Sequence, residues 1–201
     1  MTAGWRTSRH DAERAPLAPH RYARAFVRGF ATREFQLMLL RRMADFQPPL
    51  VEDAYTAMGA TRAQYLAAHN RWQAMLHSRR APRGIDLLQA VLGPPQAQRT
   101  VPVGDVTLTA CYWRLPMWPD LRWEALVGDG GVVLNSWLVR PSPLPSLPPP
   151  AKLGPWSCVV DDAVLGYENA EQINPDIPFQ WLVRAGGKEL WFAHGLLQMV
   201  R

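Results

Sequence analysis

The stretch LRWEALVGDGGVVLNSWLV, residues 121–139, reads as two strands joined by a glycine turn. Residues 121–127 and 132–139 are rich in β-branched and aromatic side chains, and Gly128-Asp129-Gly130-Gly131 between them supplies the positive φ that tight hairpin turns need. Similar texture extends on both sides. Residues 103–112 (VGDVTLTACY) alternate as a strand does, residues 179–184 and 188–193 flank Ala185-Gly186-Gly187 as a second hairpin, and residues 156–160 offer one more strand. Between the hairpins runs PSPLPSLPPP, 141–150, six prolines in ten residues. Proline cannot donate to a ladder, so 141–155 is expected to be an extended crossover outside any sheet. The half from 101 to 201 is thus expected to be a Trp-rich antiparallel β unit.

Upstream of residue 100 the pattern changes to helical spacing. Tyr22, Phe26, Phe30, Leu37, Leu40 and Met43 approximate one face of a helix from residue 20 to about 45, ended by Pro48-Pro49. Residues 50–58 read as a short helix, Gly59-Ala60 as a turn, and 61–78 as a longer helix with Thr61 as N-cap. Residues 85–92 (IDLLQAVL) form a last short helix before Gly93-Pro94-Pro95. Residues 1–19 lack periodicity and read as a flexible basic arm, leaving 20–100 as a helical unit. The expected class is α+β, and no internal repeat emerges at a fixed period.

Charge divides along the same line. Residues 1–100 carry 15 Arg, no Lys and seven acids, net +8, whereas residues 101–201 carry seven basic and ten acidic residues, net −3. GC-rich coding accounts for Arg in place of Lys, but it does not place the positive charge in one half. A summed positive field attracts phosphate, so the helical half is expected to face a polyanion, foremost double-stranded DNA.

Residues 52–75 (EDAYTAMGATRAQYLAAHNRWQAM) resemble a helix-turn-helix: a short helix, a glycine at the turn and a longer second helix. Ala54, Gly59 and Tyr65 stand where the motif has its small helix-one residue, its turn glycine and its packed helix-two apolar residue. Tyr55 and Ala60 depart from it. The resemblance implies that Thr61, Arg62, Gln64 and His69, extended by Asn70 and Arg71, approach a groove and its phosphates. Arg21, Arg24, Arg28, Arg41 and Arg42 on the long helix, and the run Arg79, Arg80 and Arg83, are expected to hold backbone phosphates.

Seven of the nine tryptophans lie in the second half (Trp113, Trp118, Trp123, Trp137, Trp156, Trp181 and Trp191) and are expected to fill its core rather than stack on bases. Cys111 and Cys158, far apart in apolar sequence, are expected to be buried reduced thiols, in keeping with a cytoplasmic setting. No apolar run is long enough to cross a bilayer, and residues 1–20 do not look like a signal peptide. No P-loop, nucleophile elbow or nuclease-spaced carboxylate set is present, and neither metal nor cofactor is expected. The leading expectation is a non-enzymatic DNA-binding protein, regulator-like or engaged in DNA maintenance, with homodimer or partner contacts through the β unit. An adaptor that binds proteins is the alternative. A metal-dependent nucleic-acid enzyme using Asp161 or Asp162 is the third.

Overall fold

Among the described residues four helices precede two four-stranded sheets, with a fifth helix between the sheets, an α+β arrangement seen in a computed structural model that describes residues 27–142, 146–173 and 177–201. The helices are α1 (Thr32–Met43), α2 (Pro48–Ala57), α3 (Arg62–His77) and α4 (Gly84–Leu92). An antiparallel sheet follows in the order β1 (Ala97–Val103), β2 (Val106–Leu115), β3 (Trp118–Val127) and β4 (Val133–Val139). Helix α5 (Val160–Gly166) then precedes a second antiparallel sheet of β5 (Glu171–Ile173), β6 (Gln180–Ala185), β7 (Lys188–Ala193) and β8 (Leu196–Val200). A helix followed by a four-stranded meander in sequential order therefore occurs twice. The sequence shows no repeat because pairing order constrains only polarity alternation and turn positions, not residue identity.

Helix α1 is central. Phe35 through Leu40 are all buried, including Gln36, so apolar contact surrounds it on most sides rather than along one stripe. Its start differs from the expectation: the described residues 27–31 form a turn with Gly29 at φ 75°, and the helix begins at Thr32, where Glu34 accepts a hydrogen bond from the Ala31 N–H at 3.1 Å. Pro48 and Pro49 open α2 instead of merely closing α1, since the first helical turn has no use for their missing N–H. Thr61 caps α3 as expected. Its hydroxyl accepts the Gln64 N–H at 3.2 Å, and the Gln64 side chain accepts the Thr61 N–H at 3.1 Å.

The strand expected over 103–112 is two strands turned at Gly104-Asp105, and the hairpin at 128–131 is present between β3 and β4. Residues 156–160 do not make a full strand. Val159 forms a single bridge to Leu196, Trp156 N–H bonds Leu197 O at 2.8 Å, and α5 starts at once. The described parts of the proline-rich crossover contain no strand.

In the first sheet Trp113, Trp123 and Leu138 are register partners on the face turned to the helices, where Phe35 meets Trp123 edge-on at 5.2 Å. Cys111, Ala125 and the core residues of α1, α3 and α4 join the same buried cluster. Two side-chain amides, the buried Gln36 and the half-buried Gln47, tie the layers together: Gln36 accepts the Met117 N–H at 2.7 Å, and Gln47 donates to the Gln198 carbonyl at 2.8 Å. Of the seven tryptophans expected in the core, Trp113, Trp118, Trp123 and Trp181 are buried, and Trp137, Trp156 and Trp191 are half-buried. The second sheet docks on the edge of β4. Leu138 N–H bonds His194 O at 2.8 Å, and Gly195 lies so close that an added Cβ would sit 2.6 Å from Leu138 O.

Candidate functional site

Several of the side chains expected to read DNA are engaged within the protein. The Thr61 hydroxyl and Gln64 Oε1 each accept a backbone N–H in the α3 cap, and His69 Nδ1 is buried. Arg71 donates to the Arg28 carbonyl and lies over the Phe30 ring, 5.8 Å from its centroid. Arg41 pairs with Asp45 at 2.6 Å, and Arg42 covers the Phe179 ring at 4.9 Å, on the second half of the chain. Helix α3 packs along α1, with Phe35 against Trp72, and meets α2 through the stacked Tyr55 and Tyr65 rings at 5.2 Å. Arg62, Asn70, Arg79, Arg80 and Arg83 are exposed but do not restore a recognition surface without those partners. Arg21 and Arg24 lie outside the described residues.

The DNA-binding helix-turn-helix reading is therefore corrected to a structural helical hairpin. Among the described residues no arrangement supports a nucleic-acid partner or a homodimer. Among the described residues no helix is long and apolar enough to cross a membrane.

Positive charge gathers instead on the outer face of the first sheet. A pocket of about 480 Å³ there is lined by Arg99 from β1, Tyr112 and Arg114 from β2, Arg122 and Glu124 from β3, and Arg140 just after β4. Asp161, at the start of α5, closes one side. Strand alternation sets this face: with Trp113 and Trp123 turned inward, their neighbours Tyr112, Arg114, Arg122 and Glu124 must turn outward. Register places Arg114 directly opposite Arg122 and Tyr112 directly opposite Glu124.

The four guanidinium groups are not equally engaged. Arg140 Nε bonds both oxygens of the buried Asp162 at 3.1 and 2.9 Å, and Asp162 also accepts the Val159 N–H at the start of α5. Asp162 thereby fixes Arg140 at the rim of the pocket. Arg99 stands 3.9 Å from Glu124, too far for a strong hydrogen bond. Arg122 donates to the Pro119 and Leu121 carbonyls. Among the described residues neither Arg114 nor Arg122 has a carboxylate within ion-pair distance. Burial raises the Glu124 carboxyl above its usual range, partly offset by the Tyr112 hydroxyl and Arg99.

Counting charge by halves hid this cluster, because Arg114, Arg122 and Arg140 are diluted by ten acids in the second half. The available signal was the pair of triplets Tyr112-Trp113-Arg114 and Arg122-Trp123-Glu124, polar residues on either side of a tryptophan, facing each other across a turn. Asp161 and Asp162, weighed as metal ligands, belong to this region in another role. Among the described residues no group of three or more His, Cys, Asp or Glu side chains is arranged to hold a metal ion.

No protein-family model matches the chain. No curated protein matches it either. A solved structure from Streptococcus mutans, named as a candidate beta-lactamase inhibitor protein, matches 63% of this chain and 85% of its own with 16% identity and a TM-score of 0.28. Its name speaks of enzyme inhibition and not of DNA binding, and the TM-score is too low to place the two chains in one fold.

Proposed function

We propose that the chain is a non-catalytic binding protein whose first sheet holds a compact polyanion, a small polycarboxylate or a phosphate, on its outer face. The observation that carries this reading is Arg114 set directly opposite Arg122 on adjacent strands, with no carboxylate within ion-pair distance of either among the described residues and with Arg122 engaging the Pro119 and Leu121 carbonyls through Nη1, which leaves its Nε and Nη2 to an anion. Like charges in that position repel, and an anion between them reverses the sign. Guanidinium forks match carboxylate and phosphate oxygens two at a time and stay charged at every working pH, which suits them to holding rather than to moving protons. The thiols are equally unsuited to nucleophilic work, since burial pushes Cys111 up to about 11 and Cys158 up to about 12.

Calorimetric titration with citrate and with inorganic phosphate tests the reading. Loss of one charge-assisted contact costs about 1.5–3 kcal/mol, so Arg114→Ala and Arg122→Ala are each expected to weaken binding roughly tenfold to a hundredfold, with Arg79→Ala unchanged. Binding of wild-type strength in both pocket variants, or no binding of either anion, refutes it.

A further inference from the structure

The pocket on the outer face of the first sheet is not cationic throughout. Arg114 and Arg122 form one row across β2 and β3, and Tyr112 and Glu124 form the next, so the strand repeat sets the rows about 7 Å apart. Glu124 lines the pocket although its side chain is only 8% exposed. A carboxylate offers about four acceptor sites, and burying it with most of them unused is costly. The Tyr112 hydroxyl beside it supplies one donor, and Arg99 at 3.9 Å is too far for a hydrogen bond. Asp161, in the same wall, has no ion pair among the described residues. One end of the pocket therefore asks for an anion, and the other asks for donors.

Resting on the anion reading above, we propose that the ligand is a phosphate monoester of a small polyol, its phosphate between Arg114 and Arg122 and its hydroxyls donating to Glu124. Volume supports an ester over the bare ion. The pocket holds about 480 Å³, and inorganic phosphate, roughly three waters of ~30 Å³ each, fills less than about a quarter of it. Charge selects the donor. A hydroxyl bonds a carboxylate strongly and brings no charge, whereas an ammonium would enter a pocket that Arg99 and Arg140 also line. A polycarboxylate is disfavoured for the converse reason, because its further carboxylates would face Glu124 and Asp161.

Calorimetric titration with glycerol 3-phosphate, propyl phosphate and phosphoethanolamine tests the proposal. Glycerol phosphate is expected to bind roughly tenfold to a hundredfold more tightly than propyl phosphate, which has the same carbons and no hydroxyl, and more tightly than phosphoethanolamine. Glu124→Leu removes the acceptor at similar size, and is expected to abolish the preference for glycerol phosphate while propyl phosphate still binds, which also reports that the variant is folded. Vesicles of phosphatidylglycerol carry a related headgroup on a bilayer, and are expected not to sediment the protein. Equal affinity for glycerol and propyl phosphates, tighter binding of phosphoethanolamine, a preference that survives Glu124→Leu, or vesicle binding lost in Arg114→Ala overturns the proposal. Arg114→Ala is expected to weaken both esters alike. Wild-type binding of both in that variant refutes the underlying anion reading instead, so the two failures are distinguishable.

Discussion

Acidification is expected to destabilise the protein through His194, and the size of the effect follows from its burial. An imidazole titrates near 6.5 in the unfolded chain and at about 3 in the folded one. Between those values the unfolded state binds the extra proton, so stability rises with pH in that window and is lost as pH falls below 6.5. From 6.5 to 5 is about 1.5 pH units, worth about 2 kcal/mol at 1.36 kcal/mol per unit, a sizeable share of the ~5–15 kcal/mol that holds a domain folded. Urea unfolding at pH 7 and pH 5 measures it, with His194→Asn as the comparison because asparagine enters the left-handed region readily. The wild type is expected to lose about 2 kcal/mol more than the variant over this interval. His69, whose pKa is also lowered, acts in the same direction, and the raised Glu124 acts in the opposite one, but both are common to the two proteins and cancel in the difference. An equal loss in wild type and variant refutes the argument.

Two further substitutions probe the architecture. Gly195→Ala places a Cβ 2.6 Å from Leu138 O at a φ of 80°, and is expected to cost at least the ~1–3 kcal/mol of a left-handed non-glycine residue, read as a fall in unfolding midpoint. Asp162→Ala leaves Arg140 without its buried partner, so a loss of about 3–5 kcal/mol is expected in chemical denaturation, together with weaker citrate binding in any fraction that stays folded.

Local chemistry was legible and register was not. Thr61 and Gln64 announce a helix start because the cap closes within four residues, and the glycines at 128–131 and 186–187 announce hairpins because the turn needs them. The inward tryptophans follow from alternation along single strands. The pocket depends on which residue lies opposite which, and Arg99, Arg114, Arg122 and Arg140 meet only after four strands have paired. In the sequence Pro48-Pro49 reads as an end because proline breaks what precedes it, although the same property suits it to a beginning. The arginines of α1 and α3 misled for a physical reason: a formal charge in sequence says nothing about whether a carbonyl, a ring or Asp45 already occupies it.

The seal that His194 and Gly195 place on β4 sets an order for biosynthesis. Strand β4 is translated well before residues 194 and 195, so throughout that interval its free margin offers the Leu138 amide to any extended chain nearby. Slow translation of the proline-dense crossover would prolong that vulnerability, and rapid completion of the final hairpin would end it.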